Sequence, residues 1–252
     1  MSSEIIHDPL SHPGSRPIGI LLIHGFTGSP WSMRPLAEFF AEQDYPVEMI
    51  LLPGHGSHWK DMMPVTHHDW MAEVDAAYWK LRQRASHVVI FGLSMGGMLA
   101  LRESVRREVL GTVLINPFVQ DPTVLLRFAR LFSRFVASTK GITSDIAKPG
   151  ADEGGYPRVP LKAAAELHAL GKETRPLVRS LKAPVLYFRS AEDHVVSDKS
   201  HHFFHKHAEC PVKFIELERS YHVATLDYDA PVILKNSLEF VQSLEADLKG
   251  HA

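Results

Sequence analysis

His87-Val88-Val89-Ile90-Phe91-Gly92-Leu93-Ser94-Met95-Gly96-Gly97-Met98-Leu99-Ala100-Leu101 is the stretch on which the fold turns. After His87, the residues Val88 to Phe91 are apolar and β-branched or aromatic, as in a strand buried on both faces. A turn carrying G-x-S-x-G follows, and helical spacing resumes at Met95. A serine between two glycines at a strand-to-helix junction is a nucleophile elbow. Glycines 92 and 96 let neighbouring backbones approach closely while Ser94 occupies the tight turn. The helix that starts there points its free amides and its dipole at developing negative charge.

Working outward, the same alternation recurs along the chain. Strand patterns at 18–23, 47–52, 87–91, 112–115, 185–189 and 212–217 are interleaved with helix patterns at 31–42, 67–84, 95–107, 197–207 and 232–248. In the second helix Trp70, Met71, Val74, Tyr78 and Leu81 share a face, which is expected to pack in the core. The last helix has Asp229 as a candidate cap and Pro231 in its first turn. Such alternation predicts a doubly wound parallel sheet, whose reactive groups gather beyond the carboxyl ends of the strands.

A serine hydroxyl needs a histidine to take its proton and a carboxylate to orient that histidine. After an elbow serine the expected order is serine, acid, histidine. Asp193 follows the strand at 185–189 and His222 follows the one at 212–217, so both sit at strand carboxyl ends, as Ser94 does. Asp121, after the preceding strand, is the rival acid. Glu192 adjoins Asp193 but aims elsewhere, and His194 reads as a solvated loop residue. Acyl hydrolysis also needs oxyanion donors. The backbone N–H groups of Met95 and of Phe26, in the turn His24-Gly25-Phe26-Thr27-Gly28, are the candidates. His24 is expected to hold that loop rather than act as a second base.

Five motifs occur in order: His24-Gly25-Phe26-Thr27-Gly28, Pro53-Gly54-His55-Gly56, Gly92-Leu93-Ser94-Met95-Gly96-Gly97, Ala191-Glu192-Asp193 and His222-Val223-Ala224-Thr225-Leu226-Asp227. With them the chain resembles the α/β-hydrolase superfamily, and within it the bacterial carboxylesterases and monoacylglycerol lipases. The resemblance runs from about residue 18 to 244. It implies an α/β-hydrolase fold with a small helical cap, a triad of Ser94, Asp193 and His222, an oxyanion hole from Phe26 and Met95, and an apolar acyl pocket. Tyr221 stands where such enzymes often have glycine, and on that comparison it would narrow the mouth of the site.

Residues 118–175 break the alternation. No strand pattern occurs there, and an insert of this size is expected to form a lid over the strand ends. Around 124–138, Leu125, Phe128, Leu131, Phe132 and Phe135 face one way and Arg127, Arg130 and Arg134 another, which suits a helix lining a lipid-like pocket or briefly touching a lipid surface. No linker or repeat divides the 252 residues, so one domain is expected.

Composition excludes several classes. Twenty-seven lysines and arginines against 29 acids give a net charge of −2, without the basic field that nucleic-acid binding needs. With 45% hydrophobic and 22% charged residues, the chain can build a sizeable core. A single cysteine, Cys210, leaves no disulfide or CxxC motif. The first residues lack a signal-peptide pattern, and no apolar run nears the roughly 18 residues of a bilayer span. A cytoplasmic protein is the expectation. His201, His202, His205 and His207 form a histidine-rich helix face read as solvated. No catalytic metal and no cofactor are expected.

The sequence thus predicts hydrolysis of carboxylic esters, medium-chain acyl esters or monoacylglycerols, through an acyl-enzyme on Ser94. The same triad would equally serve a thioesterase, an amidase or a carbon–carbon bond hydrolase. Outside enzymes, the alternative is a ligand-binding protein of the same fold, which a fluorophosphonate probe would fail to label at Ser94.

Overall fold

Apolar runs become strands where both faces can be covered. In the computed structural model, which describes residues 5–120, 129, 131–133 and 135–250, nine strands form. They are β1 (Leu10–His12), β2 (Ile18–Ile23), β3 (Val47–Met49), β4 (His87–Leu93), β5 (Gly111–Ile115), β6 (Ser138–Lys140), β7 (Arg158–Pro160), β8 (Val185–Ser190) and β9 (Val212–Leu217). Seven of them make one sheet in the order β1-β3-β2-β4-β5-β8-β9, parallel throughout except for β1, which pairs antiparallel with β3. The helices given in full by the described residues are α1 (Arg34–Glu42), α2 (His67–Arg82), α3 (Met95–Arg106), α4 (Leu161–Thr174), α5 (Asp198–His207) and α6 (Ala230–Gly250).

Period-two alternation divides the strand side chains between two cores. Leu21 and Ile23 of β2, with Val88 and Ile90 of β4, pack with Trp70, Tyr78 and Leu81 of α2 and with Leu99 of α3. Ile18, Ile20 and Leu22, with Val89 and Phe91, pack with Leu36 and Phe40 of α1 and with Ile233 and Val241 of α6. The five apolar positions singled out in α2 are all buried. No described helix is long and apolar enough to cross a membrane.

The differences from the sequence reading have local causes. β3 ends at Met49; Ile50 still donates to Leu22 (3.2 Å), and beyond it the N–H of Leu52 is bonded to the ring of His24 (3.1 Å) instead of a neighbouring strand. The helix expected from residue 31 opens as a 3₁₀ turn, Pro30–Met33, and becomes α-helical only at Arg34. Asp229 starts α6 through its carbonyl, which accepts from Val232 and Ile233, while its carboxylate turns to the N–H of Arg219. β1 was not foreseen, because three residues of mixed polarity show no period.

The insert at 118–175 does hold strands, contrary to expectation: β6 and β7 pair antiparallel as a two-stranded sheet, and α4 follows directly. Side chains of the core stitch it down. Asp227 accepts the N–H groups of Ala147 (2.7 Å) and Lys148 (2.9 Å). Tyr156 donates its N–H to Thr27 (2.9 Å) and its hydroxyl to the Gly54 carbonyl (3.1 Å). Of the amphipathic pattern at 124–138, residues 124–128, 130 and 134 lie outside the described residues, and so does Asp121. Leu131, Phe132 and Phe135 are exposed, Phe135 by 82%.

Candidate active site

Ser94 joins β4 to α3 with φ 55° and ψ −117°, a left-handed conformation costly for a residue with a Cβ. The surroundings hold it there. Its N–H donates to Ile115 (3.0 Å), and its carbonyl accepts from Gly97 (2.9 Å) and Phe118 (3.1 Å). The turn closes only because residues 92 and 96 lack side chains. A Cβ on Gly92 would stand 2.2 Å from the Gly96 oxygen, and one on Gly96 would stand 2.2 Å from the Ile23 oxygen. Met95 is the first residue of α3, so its N–H has no carbonyl one turn earlier to bond.

Beyond β2 the chain passes beneath Ser94: a Cβ on Gly25 would meet that of Ser94 at 3.3 Å. His24 is fixed at both ring nitrogens. Nδ1 donates to the Gly25 carbonyl (2.8 Å) and Nε2 accepts the Leu52 N–H (3.1 Å), so the ring is neutral. Burial, with the neighbouring His55, holds its pKa well below the ordinary histidine value. Its loop-holding role is as expected. His55 of the Pro53-Gly54-His55-Gly56 motif is pushed by burial to about 4. It packs edge-on against Phe26 and Trp70, supporting the turn that carries the Phe26 amide.

Asp193 and His222 meet across β8 and β9, with Nδ1 of His222 2.8 Å from Oδ2 of Asp193. The other oxygen of Asp193 accepts the N–H groups of Val195 (2.9 Å) and Val196 (2.8 Å), which fixes the carboxylate in the turn. His222, Ser94, Phe26 and Met95 all line one cavity of about 300 Å³. Burial lowers the pKa of His222, but the charge and hydrogen bond of Asp193, with Glu153 and Asp145 further off, outweigh it and leave the value raised.

Residues that the sequence reading missed complete the frame. Asn116, at φ 43° just past β5, donates to the His222 carbonyl (2.8 Å) and accepts the Ser190 N–H (2.8 Å). Its place at a strand carboxyl end was a usable signal. Asp145, from the insert, accepts the His222 N–H (3.2 Å), and its carbonyl accepts that of Val223 (3.0 Å). Asp145 also bonds the ring of His194 (2.8 Å), so His194 is exposed but tied; that bond raises its pKa. Glu153 reaches the same cavity, where burial raises its pKa although the Ser144 N–H bonds it. Neither acid had a sequence signal, since the insert showed no period around them. Tyr221 does not line the cavity. Its N–H and carbonyl are held by Asp227 and Ser190, and its ring packs on His194 (4.6 Å between centroids).

The cavity is divided by character. Phe118, Ala129, Val159, Leu161, Ala164 and Leu167 make an apolar wall, and Lys140, Asp145 and Glu153 supply polar groups. Among the described residues, one set could hold a metal, His67, His68 and Glu173, and none of the three lines this cavity.

Comparison with known proteins places this architecture. The alpha/beta hydrolase family profile matches residues 20–233, and the chain belongs to that family. Within it, the chain is 40% identical over 228 residues to the thermostable monoacylglycerol lipase of Bacillus sp. (strain H-257), covering 89% of this chain and 90% of that protein. It is 23% identical over 230 residues to a carboxylesterase of Bacillus subtilis (strain 168), covering 90% and 93%. A solved structure from work on the metagenome-derived lipolytic enzymes LipS and LipT superposes with a TM-score of 0.91 at 36% identity, covering 94% of this chain and 98% of that one.

A raised His222 pKa has a kinetic consequence. With His222 proposed as the base, only its neutral form takes a proton, so the acid limb of kcat/KM should lie above the ordinary 6.5, activity falling as pH drops through it. Asp145→Asn removes one charge that raises this value and weakens the bond to the His222 N–H. The limb should move to lower pH and kcat should fall on the order of tenfold. A pH profile that does not move would reduce Asp145 to a scaffold role.

Proposed function

We propose that the chain is a serine hydrolase of carboxylic esters, acting on medium-chain acyl esters and monoacylglycerols through an acyl-enzyme on Ser94. The observation that carries this reading is the Asp193-bonded imidazole of His222 facing the same cavity as the strained Ser94 turn. His222 takes the Ser94 proton as Oγ attacks the ester carbonyl. The amides of Phe26 and Met95 receive the oxyanion. His222 then returns the proton to the departing alcohol, leaving the acyl group on Ser94. Water, deprotonated by His222, adds to the acyl carbonyl, and Ser94 leaves with the proton as the acid is released. Asp193 keeps the imidazole in one tautomer throughout.

Size and polarity of the cavity support the substrate class. About 300 Å³ is at the small end of the ~300–1,000 Å³ range of ligand pockets, which suits a medium chain. Its polar groups suit an alcohol with free hydroxyls, which Glu153 can bond. The described residues of the 118–175 insert serve as the cap of a single hydrolase domain. The exposed Leu131, Phe132 and Phe135 support brief contact with a lipid surface rather than insertion.

A chain-length series of nitrophenyl esters together with a monoacylglycerol tests the reading. Turnover should peak at medium chain and include the monoacylglycerol. Glu153→Gln should raise KM for the monoacylglycerol several-fold, about 1 kcal/mol for one hydrogen bond, and leave the nitrophenyl esters nearly unchanged. A fluorophosphonate-labelled Ser94 with no turnover of any ester would overturn the ester reading and direct attention to thioesters, amides and carbon–carbon substrates.

A further inference from the structure

Away from the cavity, α2 and α4 meet through a cluster that the reaction does not use. Thr66 caps α2, its N–H and hydroxyl both bonded to Asp69, which fixes His67 and His68 in the first turn. The His67 ring is flanked by carboxylates. Nδ1 and the backbone N–H both meet Oε2 of Glu166, and Nε2 is 3.1 Å from Oε1 of Glu173. Glu166 and Glu173 are seven residues apart on α4, two turns along one face. The His68 ring stacks on that of His67 with 4.1 Å between centroids.

Both ring nitrogens of His67 thus face carboxylate oxygens, and a cation seated between Nε2 and Glu173 would take both as ligands while Glu166 keeps Nδ1. The side chains of His68 and Glu173 are exposed and reachable, whereas His67 is buried. We propose that His67, His68 and Glu173 form a divalent transition-metal site of zinc type, with Glu166 as the carboxylate that orients His67. Ligand atoms of the three lie within 4.8 Å of one another. Two donors on one zinc at 2.0–2.1 Å, at a tetrahedral angle, stand about 3.3 Å apart, near the separation already present between His67 and Glu173. Glu166 on Nδ1 supplies the carboxylate–histidine–metal arrangement that fixes the tautomer and sharpens the donor. Imidazole with carboxylate suits zinc rather than calcium or magnesium.

The role is mechanical. The opposite side of α4 carries Leu161, Ala164 and Leu167 of the cavity wall. A metal there ties that wall to α2, and the site stands apart from the hydrolytic chemistry. Metal-stripped, tag-free protein is titrated with zinc alone by calorimetry and by thermal unfolding, with His68→Ala, Glu173→Gln and a His201→Ala/His205→Ala control. We expect one saturable site. At about 100 times Kd of free zinc the melting temperature should rise by roughly 5 °C or more and return on chelation. Both effects should vanish in His68→Ala and in Glu173→Gln and persist in the control. Visible absorption of the cobalt-substituted protein gives a second readout, lost in the same variants. No saturable binding, binding untouched by both substitutions, or binding lost only in the control would each overturn the proposal.

Discussion

Ser94→Ala should lower kcat/KM toward every ester by about 10⁴-fold or more, with the fold unchanged. As the proposed nucleophile, Ser94 is a group for which the site has no substitute. The substitution keeps the Cβ and therefore the packing of the turn, and the backbone bonds of Ser94 to Ile115, Gly97 and Phe118 do not involve the hydroxyl. Activity and structure should therefore separate. Circular dichroism and the unfolding midpoint stay near those of the parent while turnover and fluorophosphonate labelling disappear. A double variant with His222→Ala should be little worse than Ser94→Ala, because every proton transfer proposed for the histidine serves the making or breaking of the acyl-enzyme on Ser94. Survival of most activity in Ser94→Ala would refute the mechanism.

Gly96→Ala should damage the same site through the backbone. The added Cβ would lie 2.2 Å from the Ile23 oxygen and 2.6 Å from that of His24. Both are main-chain atoms at the end of β2, a central strand, so no side-chain rotation relieves the clash. Either α3 or the end of β2 must move. Overpacking of this kind costs about 3 kcal/mol, which a denaturant midpoint would read directly. Turnover per folded molecule should fall as well, on the order of 10²-fold. The strand end that must move leads into the Phe26 turn, and losing one oxyanion donor costs about that much. Parent-like stability together with parent-like turnover would show that the elbow tolerates a side chain here.

What could be read without coordinates was set by strand ends. Ser94, Asp193 and His222 each follow an apolar run long enough to announce a strand, so their positions were legible from periodicity and chain order. The structure brings Asp193 and His222 into contact and turns His222 and Ser94 toward one cavity. Other features depended on tertiary contacts that leave no local pattern. Past β3, Leu52 bonds to the ring of His24 and not to a strand. β6 and β7 are three residues each, with Val159 as the lone aliphatic residue between Arg158 and Pro160. Asp145 and Glu153 are ordinary acids in an irregular stretch until the fold brings them near His222. Tyr221 reads as an obstruction in sequence, but its backbone is pinned on both sides and its ring leaves for His194.

The cavity's two characters come from separate pieces of the insert. The apolar wall owes Leu161, Ala164 and Leu167 to α4, whereas Lys140, Asp145 and Glu153 come from β6 and the irregular chain before β7. On the proposed ester reading, acyl fit and headgroup fit therefore rest on different side chains. Exchange of Leu161, Ala164 or Leu167 should reset the first while Ser94, His222 and the polar groups stay as they are.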